Sequence, residues 1–475
     1  MSVRSAVRRR RRRALFLALP VLAGVLAPTA AQASWPGLNG WQSFSSNRFD
    51  TAISGDIFVM PPIGLPQVQL TTARPDDAQS AWSPDGRRIA FKSRRNGNNE
   101  LYVMNPDGSA QTRLTNSSRV SEGQPAWSRD GTRLLYRQTP DNPVTQNADI
   151  WQIDVDPAAP NARPVLERTG DERYPSYSPD GTKILFRGDL DLVDHSGDEE
   201  LYVMDADGRN IAQLTHNNVF DSAPAFSPDG TRIAFESARD SGDPLALDIY
   251  VMNADGTDVR RLTADPAHDE GPIFSPDGTK IAFESARDSG DPLALDIYVM
   301  NADGTDVRRL TTDPAHDEGP IFSPDGTKIA FASLRSGQED IWVMNADGSG
   351  QRQLTDDPAR DESPDWQPVP FDMTGHTACG DVGLDRGQAS SVAARNVSCD
   401  TALRQARRWA AEAADDDPPA RLRGYACTTA PHTFDLVLVR CVKDEEEPGD
   451  PPRDVAFVWR DPAVTLPSGG AVPAA

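Results

Sequence analysis

One short turn recurs six times along the chain, as Ser83-Pro-Asp-Gly86, Ser128-Arg-Asp-Gly131, Ser178-Pro-Asp-Gly181, Ser227-Pro-Asp-Gly230, Ser275-Pro-Asp-Gly278 and Ser323-Pro-Asp-Gly326. Successive copies lie 45, 50, 49, 48 and 48 residues apart. A period of this size means a modular array in which each unit buries its apolar face against the next. After each turn comes a short apolar run such as Ile233-Ala-Phe235, then a loop, then a run like Asp248-Ile-Tyr-Val-Met252, then Asn253-Ala-Asp-Gly256 and Arg261-Leu-Thr263. Pro presets the φ of the turn and Gly supplies its left-handed corner, so the chain reverses in hairpins. The β-branched and aromatic runs are strand-sized, and no amphipathic helix interrupts them. Each unit therefore predicts four short strands.

Counting units predicts the architecture. A degenerate unit precedes the six, with Phe44-Ser-Ser-Asn-Arg48 matching Phe91-Lys-Ser-Arg-Arg95 and Asp56-Ile-Phe-Val-Met60 matching the later strands. A lone terminal strand, Pro364-Asp-Trp366-Gln-Pro368, completes it. The reading is an all-β, seven-bladed propeller of four-stranded blades over residues 34–370, with six blades if the first unit is only partial. Residues 226–273 and 274–321 differ only at Arg232/Lys280 and Ala264/Thr312, which marks a recent duplication.

The repeat resembles the WD40-like PD40 repeat of the TolB family, also found in tricorn-type and prolyl-oligopeptidase-type peptidases. That resemblance implies the propeller fold and says less about activity. TolB proteins carry an α/β domain ahead of the propeller and bind a peptidoglycan-associated lipoprotein in the cell envelope. Here no such domain is expected between residue 34 and the first blade.

Residues 1–33 read as a signal peptide: Arg8 to Arg13 form a basic region, Ala14 to Ala27 an apolar one, and Ala31-Gln-Ala33 a cleavage signal. The apolar stretch reaches only ~21 Å as a helix, short of the ~30 Å bilayer core. The expectation is an exported protein, periplasmic or extracellular, with no membrane span after cleavage and with Sec or twin-arginine export both open. The whole chain carries 48 basic and 71 acidic residues, a net charge of −23. Cleavage would remove seven arginines and deepen the balance to −30. Such a charge excludes a nucleic-acid partner.

Aligning the units places an acid at one equivalent position in all seven: Asp77, Glu122, Glu172, Asp221, Asp269, Asp317 and Asp361. Two readings follow. The acids form a collar that attracts a basic peptide or a cation, or each serves the fold, pairing with the arginine of a neighbouring Ser-x-Arg, at Arg48, Arg95, Arg239, Arg287 and Arg335, or capping the turn that enters its strand. Periodic residues usually serve the periodic fold, which favours the second. His268 and His316 occupy one repeat position beside Asp269-Glu270 and Asp317-Glu318, and these residues complete the candidate binding face. His and carboxylate neighbours can hold a metal, but the two histidines are copies of one duplicated loop on adjacent blades, so no metal is assigned. Nor is a cofactor. The Asp-x-Asp-Gly strings lack the distal Glu of a calcium loop and read as turns. No nucleophile elbow, zinc-protease helix or phosphate loop occurs.

All four cysteines, Cys379, Cys399, Cys427 and Cys441, fall in residues 371–475. In an exported chain they predict two disulfides of undetermined pairing. Ser398 caps a predicted helix over about 399–414, and strands are expected over 424–429, 434–442 and 455–459, giving a small α+β domain. The functional expectation is a secreted, non-enzymatic propeller that binds a protein or peptide, basic or envelope-associated, at its acidic loop face. The alternatives are a propeller lyase or hydrolase acting on an extracellular polymer, a relative of the peptidase propellers, and a wall-binding C-terminal module.

Overall fold

A computed structural model describes residues 37–369 except 49–54, 63, 65, 74–75, 142–146, 157, 169, 191–198, 241–245 and 289–293. Beyond 369 it describes the strands of a C-terminal sheet together with Ala402 and Ala406. The signal region lies outside the described residues.

The Ser-Pro-Asp-Gly turns fold as their chemistry dictates. Asp85 Oδ1 accepts from Ser83 Oγ at 2.6 Å, the Gly86 amide donates to the Ser83 carbonyl at 2.8 Å, and Gly86 has φ +66°. Ser83 Oγ also accepts from the Arg88 amide at 2.9 Å, which fixes the start of the next strand. Asp130 makes the same contact with Ser128, which with its bonds to Thr132 lowers its pKa to about 2.

Seven four-stranded antiparallel sheets result. Blade 2 runs Asp77–Trp82, Ile89–Ser93, Glu100–Met104, Thr112–Arg113, from the ring axis outward. Blades 3 to 7 follow with first strands Val120–Trp127, Arg173–Tyr177, Asp221–Phe226, Asp269–Phe274 and Asp317–Phe322. Blade 1 is composite: its innermost strand is Asp361–Val369, paired with Leu38–Ser46 from the other end of the propeller sequence. This settles the count at seven.

Packing between blades explains why the apolar runs are continuous rather than alternating. Ile273, Ala282, Ile297, Val299 and Leu310 of blade 6 form one buried cluster with Phe322, Ile329, Phe331 and Met344 of blade 7. Each sheet is covered on both faces, so both sets of alternating side chains are apolar, and each fully buried large residue contributes roughly 1.5–3 kcal/mol.

Every innermost strand carries a bulge two residues after the repeated acid. The residue there has a left-handed φ in all seven blades: Gln79, Gln124, Tyr174, Ala223, Gly271, Gly319 and Ser363. The ladder register slips at the same place. In six blades proline follows, as in Pro272 and Pro320, because a bulge leaves a position where no amide is required.

The C-terminal sheet joins Thr377–Ala378, Val382–Gly383, Gln388–Arg395, Arg421–Leu422, Tyr425–Pro431, Leu436–Lys443 and Asp454–Arg460. The three strands expected from sequence are there, and Gln388–Arg395 was not expected. Of the expected helix, Ala402 and Ala406 are described, both helical and buried. Cys427 stands opposite Cys441 in the ladder, while Cys379 and Cys399 lie outside the described residues.

Candidate functional site

The seven repeated acids sit where the innermost strands begin, and none exceeds 2% exposure. Five are clamped. Arg95 stacks over Phe91 and Tyr102, its Nε donates to Ser93 Oγ at 2.8 Å, and its Nη2 reaches Asp77 Oδ2 at 2.8 Å. Arg48 with Asp361, Arg239 with Asp221, Arg287 with Asp269 and Arg335 with Asp317 repeat the arrangement at 2.8, 2.8, 2.6 and 2.6 Å. A planar guanidinium satisfies three demands at once: the ring pair, the hydroxyl and the carboxylate. Burial nonetheless raises Asp77, Asp317 and Asp361, the last to about 6, against the opposing pull of their arginines.

Blades 3 and 4 lack the clamp. Where other blades have Ser-x-Arg they have Gln138-Thr-Pro140 and Gly188-Asp-Leu190, and there the acid is Glu. Burial drives Glu122 up to about 7, with Glu100 adding repulsion. Glu172 rises to about 8 by burial, with Asp149 and Asp171 adding to it, and both its oxygens are buried without a hydrogen-bond partner.

The residue after each acid tells a different story. In the ladder it faces the residue after the Phe or Tyr of the second strand, giving seven cross-strand pairs: Glu362–Ser45, Ala78–Lys92, Gly123–Arg137, Arg173–Arg187, Ser222–Glu236, Glu270–Glu284 and Glu318–Ala332. Around the ring the cations fall together in blades 2 to 4 and the carboxylates in blades 5, 6, 7 and 1. Like charges directly opposite each other, as in Arg173–Arg187 and Glu270–Glu284, cost the fold stability.

The acidic half is cross-linked. Glu236 Oε2 accepts from the Gly271 amide of the next blade at 2.9 Å, and Glu284 Oε1 accepts from Gly319 at 2.9 Å. Burial and then the Glu270 charge push Glu236 to about 7 and Glu284 well above the usual carboxylate range. His316 Nδ1 accepts from the Leu295 amide at 3.1 Å, so Nε2 carries the proton that it donates to Glu318 Oε2 at 3.0 Å. His268 repeats this with Leu247 and Glu270 at 3.4 and 3.0 Å. Burial disfavours the His316 cation, but the hydrogen bond and charge of Glu318, then Glu270 and Asp317, raise its pKa overall. Glu339, pushed to about 8 by burial and by its bond to Glu318, is joined to Arg360, which also pairs with Glu362 at 2.9 Å. Among the described residues no group of three or more His, Cys, Asp or Glu is placed to hold a metal.

The basic half is mostly neutralised. Arg173 pairs with Asp171, Arg187 with Glu199 at 3.0 Å, and Lys92 with Asp76 at 3.6 Å. Arg137 alone of these four has no acid partner among the described residues.

The structure thus brings Glu270, Glu318, His268 and His316 together on one side of the mouth. It holds Asp77, Asp221, Asp269, Asp317 and Asp361 beneath it in ion pairs. Sequence reasoning did not single out Glu236, Glu284, Glu362 or the four cations. Aligning the repeat column after the Phe or Tyr would have shown the separation.

A ring of seven such blades with a polar mouth defines a β-propeller, a scaffold whose fold alone does not set the activity. The TolB beta propeller domain model matches residues 49–192, 161–247, 243–317 and 291–374, and the chain belongs to that family. An uncharacterized protein of Agrobacterium fabrum is 31% identical over 165 residues, 33% of this chain and 52% of that one. A TolB homolog of Chlorobium luteolum is 33% identical over 76 residues, 16% of this chain and 17% of the relative. The chain thus spans about half or less of these relatives. An oligogalacturonate lyase of Vibrio parahaemolyticus shares the fold at 16% identity and TM-score 0.54, over 67% of this chain and 91% of the lyase.

Proposed function

We propose that the chain is an exported, non-enzymatic binding propeller, periplasmic or extracellular, that takes a protein or peptide partner at the mouth where the innermost strands begin. The observation carrying this reading is the separation of charge in the seven cross-strand pairs. The carboxylates set opposite each other in blade 6 cost the free protein stability, and a partner bearing the complementary charge offsets that cost. The buried ring acids act as the frame beneath, and Glu270, Glu318 and Glu362 present charge to a basic segment of the partner. The family membership supports the same reading, since the domain it shares is a propeller scaffold.

The test is capture of a partner from envelope and culture fractions by the wild-type chain and by a Glu270→Lys/Glu318→Lys variant. Loss of the captured protein on reversal, with the unfolding midpoint retained, supports the acidic-mouth reading. Equal recovery by both proteins overturns it. Asp269 and Asp317 are unsuited to this experiment, because reversing them would break the Arg287 and Arg335 clamps.

A further inference from the structure

Between blades 2 and 3 the mouth opens into a cleft of about 370 Å³, large enough for a small ligand group. Gln79, Lys92, Asn99, Gly123 and Arg137 line it, with the carboxyl groups of Asp141 and of Glu122, the latter raised to about 7 by burial, also on its wall. Three features make it more than a gap. Arg137 has no hydrogen-bond or ion-pair partner for its guanidinium among the described residues, and its Nε is buried. The Asn99 amide also lines the cleft with its Oδ1 buried and unpartnered. Opposite Arg137 in the ladder stands Gly123, where a Cβ would come within 3.1 Å of Gln79 Oε1 and 3.7 Å of Lys92 Cδ. The missing side chain therefore leaves open the space beside Gln79 and Lys92 on the cleft wall.

A partly buried guanidinium with no acid bonded to it is costly; burial and then the like charge of Arg173 disfavour the Arg137 cation, and Asp171 only partly opposes them. A planar fork of N–H donors in such a place matches a carboxylate. We propose that this cleft is a carboxylate-binding site anchored by Arg137, with Lys92 as the second cation, and that its occupant is the C-terminal carboxylate of a peptide partner. The choice of a peptide terminus rests on the peptide-binding reading above. The acidic half of the mouth then receives basic side chains of the same segment, so the separated charges fix the direction in which the peptide lies. The Asn99 amide, whose two ends are interchangeable by rotation, turns its NH2 to the bound oxygen.

The test measures binding of N-acetyltrialanine, its C-terminal amide and galacturonate to the full chain by ligand-observed NMR. The free acid is expected to bind at least about tenfold more tightly than the amide, the margin a charge-assisted hydrogen bond supplies. Arg137→Gln should erase that difference with no loss of thermal stability. Gly123→Ala, which fills the space and leaves every charge in place, should weaken the acid as well. Equal binding of acid and amide, unaffected by Arg137→Gln, overturns the carboxylate site while leaving the peptide reading standing. Arg137-dependent binding of galacturonate with neither peptide bound overturns the peptide terminus as occupant. Binding of none of the three overturns the site.

Discussion

Arg335 Nη2 lies 2.6 Å from Asp317 Oδ2, whose side chain is wholly removed from solvent, and the two residues are 18 apart in sequence. The same separation joins Arg95 to Asp77, Arg239 to Asp221 and Arg287 to Asp269. Each clamp ties the start of the innermost strand to the end of the second.

Removing the cation leaves a buried carboxylate without its partner. Arg335→Met should destabilise the propeller by about 3–5 kcal/mol in urea unfolding at neutral pH. Adding Asp317→Asn should recover part of that loss, because no bare charge remains. A change below about 0.5 kcal/mol in Arg335→Met would show the clamp to be energetically idle.

Glu172 gives the opposite sign of pH dependence from a stabilising ion pair. Its pKa in the fold, about 8, lies above the ordinary 4.5, so the folded state holds a proton that the unfolded chain releases. Its contribution is fully present below about pH 4.5 and is lost as the pH rises through about 8, at up to roughly 1.4 kcal/mol per pH unit. Glu172→Gln should therefore leave stability near pH 5 almost unchanged and raise it near pH 8, read as a higher thermal midpoint only at the alkaline end. A midpoint that moves equally at both pH values would rule out a protonated Glu172.

His316 should titrate above 6.5, the ordinary value, when followed by NMR of its ring protons. A raised histidine pKa stabilises the fold below the unfolded value and ceases to do so once the pH exceeds the folded one. Glu318→Gln removes the partner that holds the imidazolium, and the His316 midpoint should fall. No movement of that midpoint would separate the two residues electrostatically.

Cys427 and Cys441 face each other on adjacent antiparallel strands, a spacing within the range that a disulfide spans. Peptide mapping without reduction should recover them cross-linked, leaving Cys379 to pair with Cys399. A Cys427–Cys399 or Cys427–Cys379 peptide would contradict that pairing.

The blades were legible because turn chemistry is local: Ser83, Pro84, Asp85 and Gly86 make their contacts within a few residues. The Ser-x-Arg clamp was legible as one of two options, since a column of acids and a column of arginines repeat with the same period. The bulges were not, because Gln79 and Tyr174 carry no left-handed preference and are held there by the ladder. The polarity of the mouth was hidden for a different reason. Gly123 and Arg137 become neighbours only through strand pairing, and in the linear sequence their columns look like ordinary variation in solvated positions. The strand Gln388–Arg395, rich in Ala and Ser, has too little hydrophobic alternation to announce itself.

The pairing of Leu38–Ser46 with Asp361–Val369 also imposes a schedule on the newborn chain. Until residue 369 has been made, blade 1 lacks its axial strand and Leu38–Ser46 offers a bare edge, while two nearly identical blades, 5 and 6, compete for the same neighbours. Closure is the longest-range contact of the propeller and so the slowest to form. Until then the propeller is an open, adhesive arc, and the strand Asp361–Val369 turns that arc into a finished ring.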